Sequence, residues 1–399
     1  MTKLEQLIQE LCPNGVEYKT LGEIGNVSMC KRILKHETSE IGDVPFYKIG
    51  TFGKEANAFI SFEIYEKYKR LYSFPKKGEV LISASGTIGR TVIFDGEPAY
   101  FQDSNIVWIS NDETQVTNLF LYYFYQTKPW QVSSGGTIAR LYNDNILRTK
   151  IPVPPLEVQA EIVRILDTFT ELTKELATEL ANRKKQYEYY LNDVFRNVQA
   201  EYEPMEKYFP FIRNGFVGTV TSFFTDAEHG VRYLEGKNIH NGIISDNEIL
   251  YVTKDFHKKH IRNELKPDDI LMVQSGHVGE CAVVGEKYAG ANCHALIIMS
   301  NGGNINSKYV TYYFMSAEGK RKLEKITTGG TIKHILASGM KKVTIPVPPI
   351  EEQRRIVAIL DRFDKLCNNI SDGLPAEIEA RQKQYEYYRD KLLTFTMKE

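Results

Sequence analysis

The chain has 399 residues, 42% of them hydrophobic and 25% charged, with a formal net charge of −1. That balance can fill a core in each of two to three domains, while near-neutrality excludes a global basic field and leaves any nucleic-acid contact to local clusters. Cysteine usage (Cys12, Cys30, Cys281, Cys293 and Cys367, an odd and scattered set without a C-x-x-C pair) argues against a disulfide framework or a zinc site, and no apolar run of about 18 residues suggests a membrane span.

Residues 2–11 predict a short helix with Leu4, Leu7, Ile8 and Leu11 on one face, ended by Pro13-Asn14-Gly15. Its charged, amphipathic character does not fit a signal peptide. Ten residues do not hold a helix in water, so it is expected to pack on the long helices that come later. Residues 16–150 alternate short strand-like runs with Gly/Asp/Asn turns. VLISAS at 80–85 reads as a strand, and Gly86-Thr87-Ile88-Gly89-Arg90 as a tight loop into a second strand at 91–94. Residues 106–110 form another strand, 118–126 an aromatic-rich helix or buried strand, and SGGTIARL at 134–141 closes the domain.

IPVPPLEVQAEIVRILDTF at 151–169 then recurs, 194 residues later, as IPVPPIEEQRRIVAILDRF at 345–363. KKQYEYY at 184–190 returns as QKQYEYY at 382–388, so the second copy carries four extra residues, about one helical turn. Prolines hold each entry extended, and an amphipathic run follows. The hydrophobic seam of the first helix runs through Ile162, Ile165, Phe169, Leu172 and Leu176 to Tyr187. That of the second runs through Ile356, Ile359, Phe363, Leu366 and Ile370 to Tyr385, with Gly373 and Pro375 interrupting it. Such seams want a partner helix, and each is the other's obvious partner. The expected fold is α+β, with a pseudo-two-fold internal repeat. Two mixed α/β domains, at 1–150 and 199–344, are joined by linker-helix segments at 151–198 and 345–399 that form an antiparallel coiled coil; the alternative is a compact bundle with the domains side by side.

The second half repeats the first domain more loosely. Residues 271–280 match 81–90, with Gly276 and Gly279 on Gly86 and Gly89. Residues 295–300 match 105–110, 308–316 match 118–126, and 328–335 match 134–141. Framework positions agree and polar ones differ, as in Arg90 against Glu280 and Thr87 against His277. One scaffold with two decorations implies two related but non-identical binding tasks.

Signatures of catalysis are absent from the sequence: there is no G-x-x-x-x-G-K-[ST] and no Asn-Pro-Pro or Asp-Pro-Pro motif for amino-group methylation. Pro267-Asp268 could open a metal-nuclease pattern, but like its counterpart Lys77-Gly78 it reads as a turn into a strand. His257-Lys258-Lys259-His260 reads as a solvated basic loop, and His277, His294 and His334 lack a ligand set. Basic clusters interleaved with Tyr, Asn, Gln and Ser flank glycine loops that let backbone approach a ligand. The candidates for nucleic-acid contact are Lys48, Ser83, Ser85, Thr87, Arg90, Gln102, Ser104, Asn105, Arg140 and Tyr142 in the first half. In the second half they are Lys237, Asn238, Gln274, Ser275, His277, Lys333 and His334.

LCPNGVEY at 11–18, the two GGTI segments at 135–138 and 329–332, the paired IPVPPxExQ linkers and the paired KQYEYY helices together resemble the specificity (S) subunit of type I restriction–modification systems. The resemblance covers essentially the whole chain. It implies two target-recognition domains that each read one half of a bipartite double-stranded DNA sequence, with the glycine loops and residues 135–142 and 329–335 facing the DNA. It implies helices that set the spacer and dock two methyltransferase (M) subunits, with restriction (R) subunits optional. S-adenosylmethionine, ATP and Mg²⁺ would belong to those partners; this chain would bind no cofactor or metal, carry no active site of its own, touch no membrane and act in the cytoplasm. The rival readings are an adaptor whose helices organise proteins without reading DNA, and a self-contained DNA methyltransferase or nuclease.

Overall fold

The computed structural model describes residues 2–132, 140–330, 332–368 and 373–398. The chain divides into two compact units, Met1–Glu175 with Ile378–Glu399, and Leu176–Glu377. Each unit thus contains a mixed α/β domain, the start of one long helix and the end of the other.

The first unit opens on α1 (Lys3–Leu11), whose start is tied by a reciprocal box: Thr2 Oγ1 accepts from the Glu5 amide and the Glu5 carboxylate accepts from the Thr2 amide. The helix docks as its length required. Leu4 is buried in one core with Ile162 and Leu166, and Lys3 Nζ lies 2.8 Å from Glu161. There follow β1 (Glu17–Thr20), α2 (Leu21–Ile24), β2 (Gly25–Ser28), β3 (Val44–Tyr47), β4 (Phe59–Ile60), α3 (Phe62–Leu71), β5 (Val80–Ser83), β6 (Thr91–Ile93), β7 (Tyr100–Phe101), β8 (Ile106–Asn111), α4 (Asn118–Gln126), α5 (Asn143–Leu147), β9 (Lys150–Val153) and α6 (Leu156–Asn197). An antiparallel sheet runs β2-β8-β5-β6, and a smaller one runs β4-β3-β7 with β3 and β7 parallel. The unbroken apolar runs of β5 and β8 follow from burial on both faces: Val80, Ile82, Val107 and Ile109 enter the core shared with the helices, while Leu81, Ile106 and Trp108 enter a second core under the smaller sheet.

The second unit repeats this plan with α7 (Met205–Tyr208), β10 (Tyr202–Pro204), β11 (Phe211–Asn214), β12 (Phe224–Thr225), β13 (Gly230–Leu234), β14 (Ile239–His240), β15 (Ile243–Ile244), β16 (Leu250–Thr253), α8 (Lys254–Lys259), β17 (Ile270–Val273), β18 (Cys281–Val283), β19 (Asn292–Cys293), β20 (Leu296–Ser300), α9 (Ser307–Met315), α10 (Ala317–Ile326), α11 (Ala337–Lys341), β21 (Thr344–Pro346) and α12 (Ile350–Asn368). Its antiparallel sheet has the order β11-β20-β17-β18, matching β2-β8-β5-β6 strand for strand, and its β13 and β19 pair in parallel like β3 and β7. A last helix, α13 (Leu374–Leu392), begins just after Gly373 with Pro375 in its first turn, where the lost amide donor costs nothing. Residues 369–372, including the seam position Ile370, lie outside the described residues.

The proline segments are more than spacers. Residues of β9 pair antiparallel with β1, Pro152 opposite Tyr18, and β21 pairs likewise with β10. The glutamine of each IPVPPxExQ copy explains the motif. Gln159 is buried; its Nε2 donates to the carbonyls of Pro154 and Gln115, both at 2.7 Å, and its Oε1 accepts from the Thr117 amide at 2.9 Å. Gln353 repeats the pattern with Pro348 and the Asn306 amide. Thr117 and Asn306 are the N-caps of α4 and α9, so one side chain joins the long helix, the proline turn and the aromatic helix. Farther along, Tyr123 donates to Asp167 and Tyr312 to Asp361, the aspartates of the two ILDxF segments.

These bonds revise the repeat register. Asn111 and Asn301 each donate to the turn before the aromatic helix, and reach Asn118 and Ser307 respectively. Ser307, not Lys308, is therefore the counterpart of Asn118, because the second turn is one residue shorter.

Within the first unit the Phe169 ring stacks on Tyr388 at 5.4 Å, and within the second the Phe363 ring lies 5.4 Å from Tyr190. The start of one helix thus meets the end of the other in each unit, the pairing made by antiparallel helices. Ile162 and Ile356 are buried as expected, Ile165 and Ile359 half-buried, and Leu172 and Leu176 half-buried. Leu366 departs from the expected seam: it is 38% exposed and Cys367 is buried, because the stripe of α12 steps 356, 360, 363, 367.

Replacing Gln159 or Gln353 by Ala strands a buried amide and a carbonyl, so each is expected to lower unfolding free energy by about 1–3 kcal/mol per stranded group, read from urea titrations of the full chain. Hydrogen bonds from Arg164 and then Lys3 pull the Glu161 carboxyl down to about 2. Its contribution is complete above its ordinary value and fades as pH falls through about 2. Protection of α1 amides against hydrogen exchange should accordingly fall in strong acid, and Glu161→Gln should remove the part of that loss not due to the Glu5 capping box.

Candidate nucleic-acid interface

Two glycine loops join a middle strand to the edge strand beside it in the matching sheets, residues 84–90 between β5 and β6 and residues 274–280 between β17 and β18. Their backbone bonds are the same in both units. The Gly89 amide donates to Ser83 and the Gly279 amide to Val273, while the Arg90 and Glu280 amides reach back to Thr87 and His277. Gly86 and Gly89 have φ of +66° and +78°, and Gly276 and Gly279 of +83° and +92°, the left-handed region where a side chain is strained. A Cβ on Gly89 would stand 3.1 Å from Trp130 Nε1, and one on Gly279 would stand 2.9 Å from Leu323 Cδ1. Each loop is therefore a fixed turn with a large apolar side chain packed beneath it.

The segments expected beside the loops are there at the described residues; 135–139 and 331 lie outside them. The Leu141 amide donates to the Ala84 carbonyl and the Ile335 amide to the Gln274 carbonyl. Around the first loop, Ser85 donates to Asn105 at 2.7 Å, Arg140 donates to the Ser104 carbonyl at 3.0 Å, and Gln102 accepts from the Ile49 amide at 3.0 Å. Thr87 and Lys48 are exposed beside them, and Tyr142 is exposed before α5. Around the second loop, Ser275 shares a 2.6 Å hydrogen bond with His334 Nδ1, Lys333 is exposed, and the exposed His277 ring lies 6.4 Å from that of His240. Gln274 keeps a buried amide oxygen without a partner among the described residues.

Several candidates have structural duties instead. Ser83 is buried, donating to the Thr87 carbonyl and accepting from the Arg90 amide, so it staples its loop. Asn238 is buried and spends its amide on Glu235, Ser245 and Asn247. Lys237 sits between Glu248 and Glu235, which raise its pKa and neutralise its charge. The Arg90 guanidinium donates to the Phe52 carbonyl, a bond invisible without the fold. His257-Lys258-Lys259-His260 is not a solvated loop: it spans the end of α8, with His257 bonded to Asn292 and the His260 ring 4.5 Å from Phe256. No group of three His, Cys, Asp or Glu residues suited to a metal occurs among the described residues.

The long helices present a second surface. Tyr187 and Tyr385 turn inward, Tyr385 donating to Gln126, while the phenol of Tyr187 is buried without a partner among the described residues because Met315 stands where Gln126 does. Tyr189 and Tyr387, equivalent in the two copies, are 68% and 62% exposed.

The DNA specificity domain of type I restriction modification matches twice, at residues 13–183 and 195–380. The specificity subunit of the type I restriction enzyme EcoR124I/EcoR124II of Escherichia coli is 30% identical over 410 residues, 99% of this chain and 97% of that one. A putative type I restriction enzyme specificity subunit of Haemophilus influenzae is 60% identical over 174 residues; the match spans 43% of this chain and 45% of that relative's length. Among solved structures, the type I S subunit from M. genitalium shares the fold at TM-score 0.54 and 14% identity, over 95% of this chain and 96% of that one. A chain from a structure of type I R-M complex assembly and conformational transition does so at TM-score 0.61 and 16% identity, over 96% and 98%.

The space around the loop glycines orders their substitutions. Gly276→Ala meets nothing within 4 Å and should cost only the left-handed strain of about 1–2 kcal/mol. Gly279→Ala adds the contact with Leu323 and should cost more, measured as the shift in urea midpoint of the full chain.

Proposed function

The chain belongs to the family of type I restriction modification DNA specificity domains, and from that membership we propose that each of its units reads one half of a bipartite double-stranded DNA target while its helices dock the other subunits. It is a specificity subunit, not an enzyme by itself. Two M subunits carry S-adenosylmethionine and methylate adenine, R subunits join with ATP and Mg²⁺ where cleavage occurs, and the assembly acts in the cytoplasm. No described helix is long and apolar enough to cross a membrane.

The observation that carries this reading is the repetition of one framework with two decorations. The sheets, glycine loops and aromatic helices coincide, while the residues around the loops differ. In the first unit the DNA-facing set is Lys48, Ser85, Thr87, Gln102, Ser104, Asn105, Arg140 and Tyr142. In the second it is Gln274, Ser275, His277, Lys333 and His334. Hydroxyls, amides and imidazoles of this kind reach base edges, each good bidentate pair discriminating by about 1–3 kcal/mol, and the cations reach phosphates. Docking of M subunits on the helices is supported by the tyrosines that both copies leave exposed, Tyr189 and Tyr387.

Adenine methylation mapped at base resolution across the host genome, with this gene intact and deleted, tests the reading. A split motif with a fixed spacer should lose methylation on both strands when the gene is removed. Unchanged methylation at every motif, in a host that expresses the M subunit, would count against a specificity role.

A further inference from the structure

We infer that Arg90 and Glu280, the last residues of the two glycine loops, are positioning residues for sequence reading. Each pins the segment that follows the parallel-paired strand of its unit, and they do so with opposite chemistry. The inference rests on the DNA-reading function proposed above.

In the first unit the segment after β3 is clamped from two sides. Arg90 donates to the Phe52 carbonyl at 2.8 Å, and Gln102 accepts from the Ile49 amide at 3.0 Å. Phe52 is buried, and Gly53 has φ of +71° with the Arg90 Cδ 3.4 Å from where its Cβ would be. Ile49 in turn lies 3.2 Å from the place of a Cβ on Gly86. What this clamp leaves outward is Lys48 and Lys54, both exposed. In the second unit the corresponding turn lies between β14 and β15. Glu280 Oε2 accepts from the Asn241 amide at 2.8 Å, and Asn241 and Gly242 have φ of +48° and +79°. The residues this presents are His240 and Asn241, both exposed.

A guanidinium can only donate and a carboxylate can only accept. The first segment accordingly offers a carbonyl to its loop and the second an amide, so the two tethers are not interchangeable. Arg90→Glu would set a carboxylate against a carbonyl oxygen. With one guanidinium nitrogen and one carboxylate oxygen spent on these segments, both residues act on DNA through the segment they hold. Freeing that segment lets its side chains settle at other distances from the base edges, which alters preference at one half-site and leaves the other alone.

The test is base-resolution adenine methylation in cells carrying the full complex, with Arg90→Met, Arg90→Lys, Glu280→Leu and Glu280→Gln. Arg90→Met should reduce base preference about tenfold at one half-site, the effect of one charge-assisted hydrogen bond, and Glu280→Leu should do so at the opposite half-site. Arg90→Lys and Glu280→Gln keep a donor and an acceptor and should retain both. The inference is overturned if the Met and Leu variants leave both half-sites as in the wild type, or if either variant degrades both halves equally. Should either fail to fold, Arg90→Leu and Glu280→Ala are read in the same way, with the same outcomes counting for and against. If deleting the wild-type gene changes no methylation, the specificity role itself fails; unchanged half-sites in the variants beside an active wild type remove only the tether.

Discussion

Each unit closes its core around the end of a long helix, and in the first unit that end comes from a separate, distant stretch of chain. Tyr385 and Leu393 are buried in the first unit among Leu4, Phe120 and Ile162, and Leu191 and Phe195 are buried in the second among Tyr309, Ile356 and Leu360. The end of each long helix is thus a core element of the unit that holds the start of the other. The termini obey the same constraint. Gly15 takes φ of +86°, and a Cβ there would collide with the Thr396 carbonyl, so the PNG turn is shaped to receive the segment around Thr396. Deleting either helix end would open a core rather than trim a tail, and contacts this distant in sequence make assembly depend on long-range closure.

The conserved-looking sequence of the helix entry is the local expression of that constraint. Prolines stop the strand and start the helix, a glutamine satisfies the polar groups that the proline turn and the helix cap leave buried, and an aspartate one face farther on takes a tyrosine hydroxyl. Burial drives the Tyr123 phenol well above its ordinary pKa, as it does that of Tyr312, so both remain donors to their aspartates at any physiological pH. A fully satisfied polar network inside an apolar contact fixes register more strictly than packing alone. Here it orients the aromatic helix, against which the strands flanking each glycine loop are packed.

What the sequence made legible was what repeats or what glycine and proline dictate: the duplication, the docked amino-terminal helix, the fixed loops, the break near Gly373. What it hid depended on partners distant in sequence. Lys237 looks like a phosphate contact until Glu248 is seen beside it, and Asn238 like a base reader until its amide is found spent on three backbone groups. The one-residue shift at Ser307 was masked because YVTYYFM and NLFLYYF align almost as well one position apart; the bonds from Asn111 and Asn301, with those of Tyr123 and Tyr312 to their aspartates, choose between them. Leu366 failed for a similar reason, since apolar residues at 359, 360, 363, 366 and 367 support two stripes and tertiary packing selected the one through Cys367.

The charge ledger also takes a different meaning once pairs are visible. Part of the basic content is paired within the chain: Lys237 with two carboxylates, Arg32 with Asp103, Lys287 with Asp246, and Arg164 and Lys3 sharing Glu161. With a formal net charge of −1 the chain carries no general excess of cations to displace counterions from DNA, and counterion release supplies most sequence-independent affinity. A chain of this kind can discriminate between sequences, because discrimination is local and rests on amides, hydroxyls and a few placed cations. A near-neutral chain is expected to hold a duplex less tightly at physiological salt than a basic one. Weak intrinsic grip combined with local discrimination would suit a subunit whose binding energy is completed by others, since specificity would then be expressed in the assembled complex.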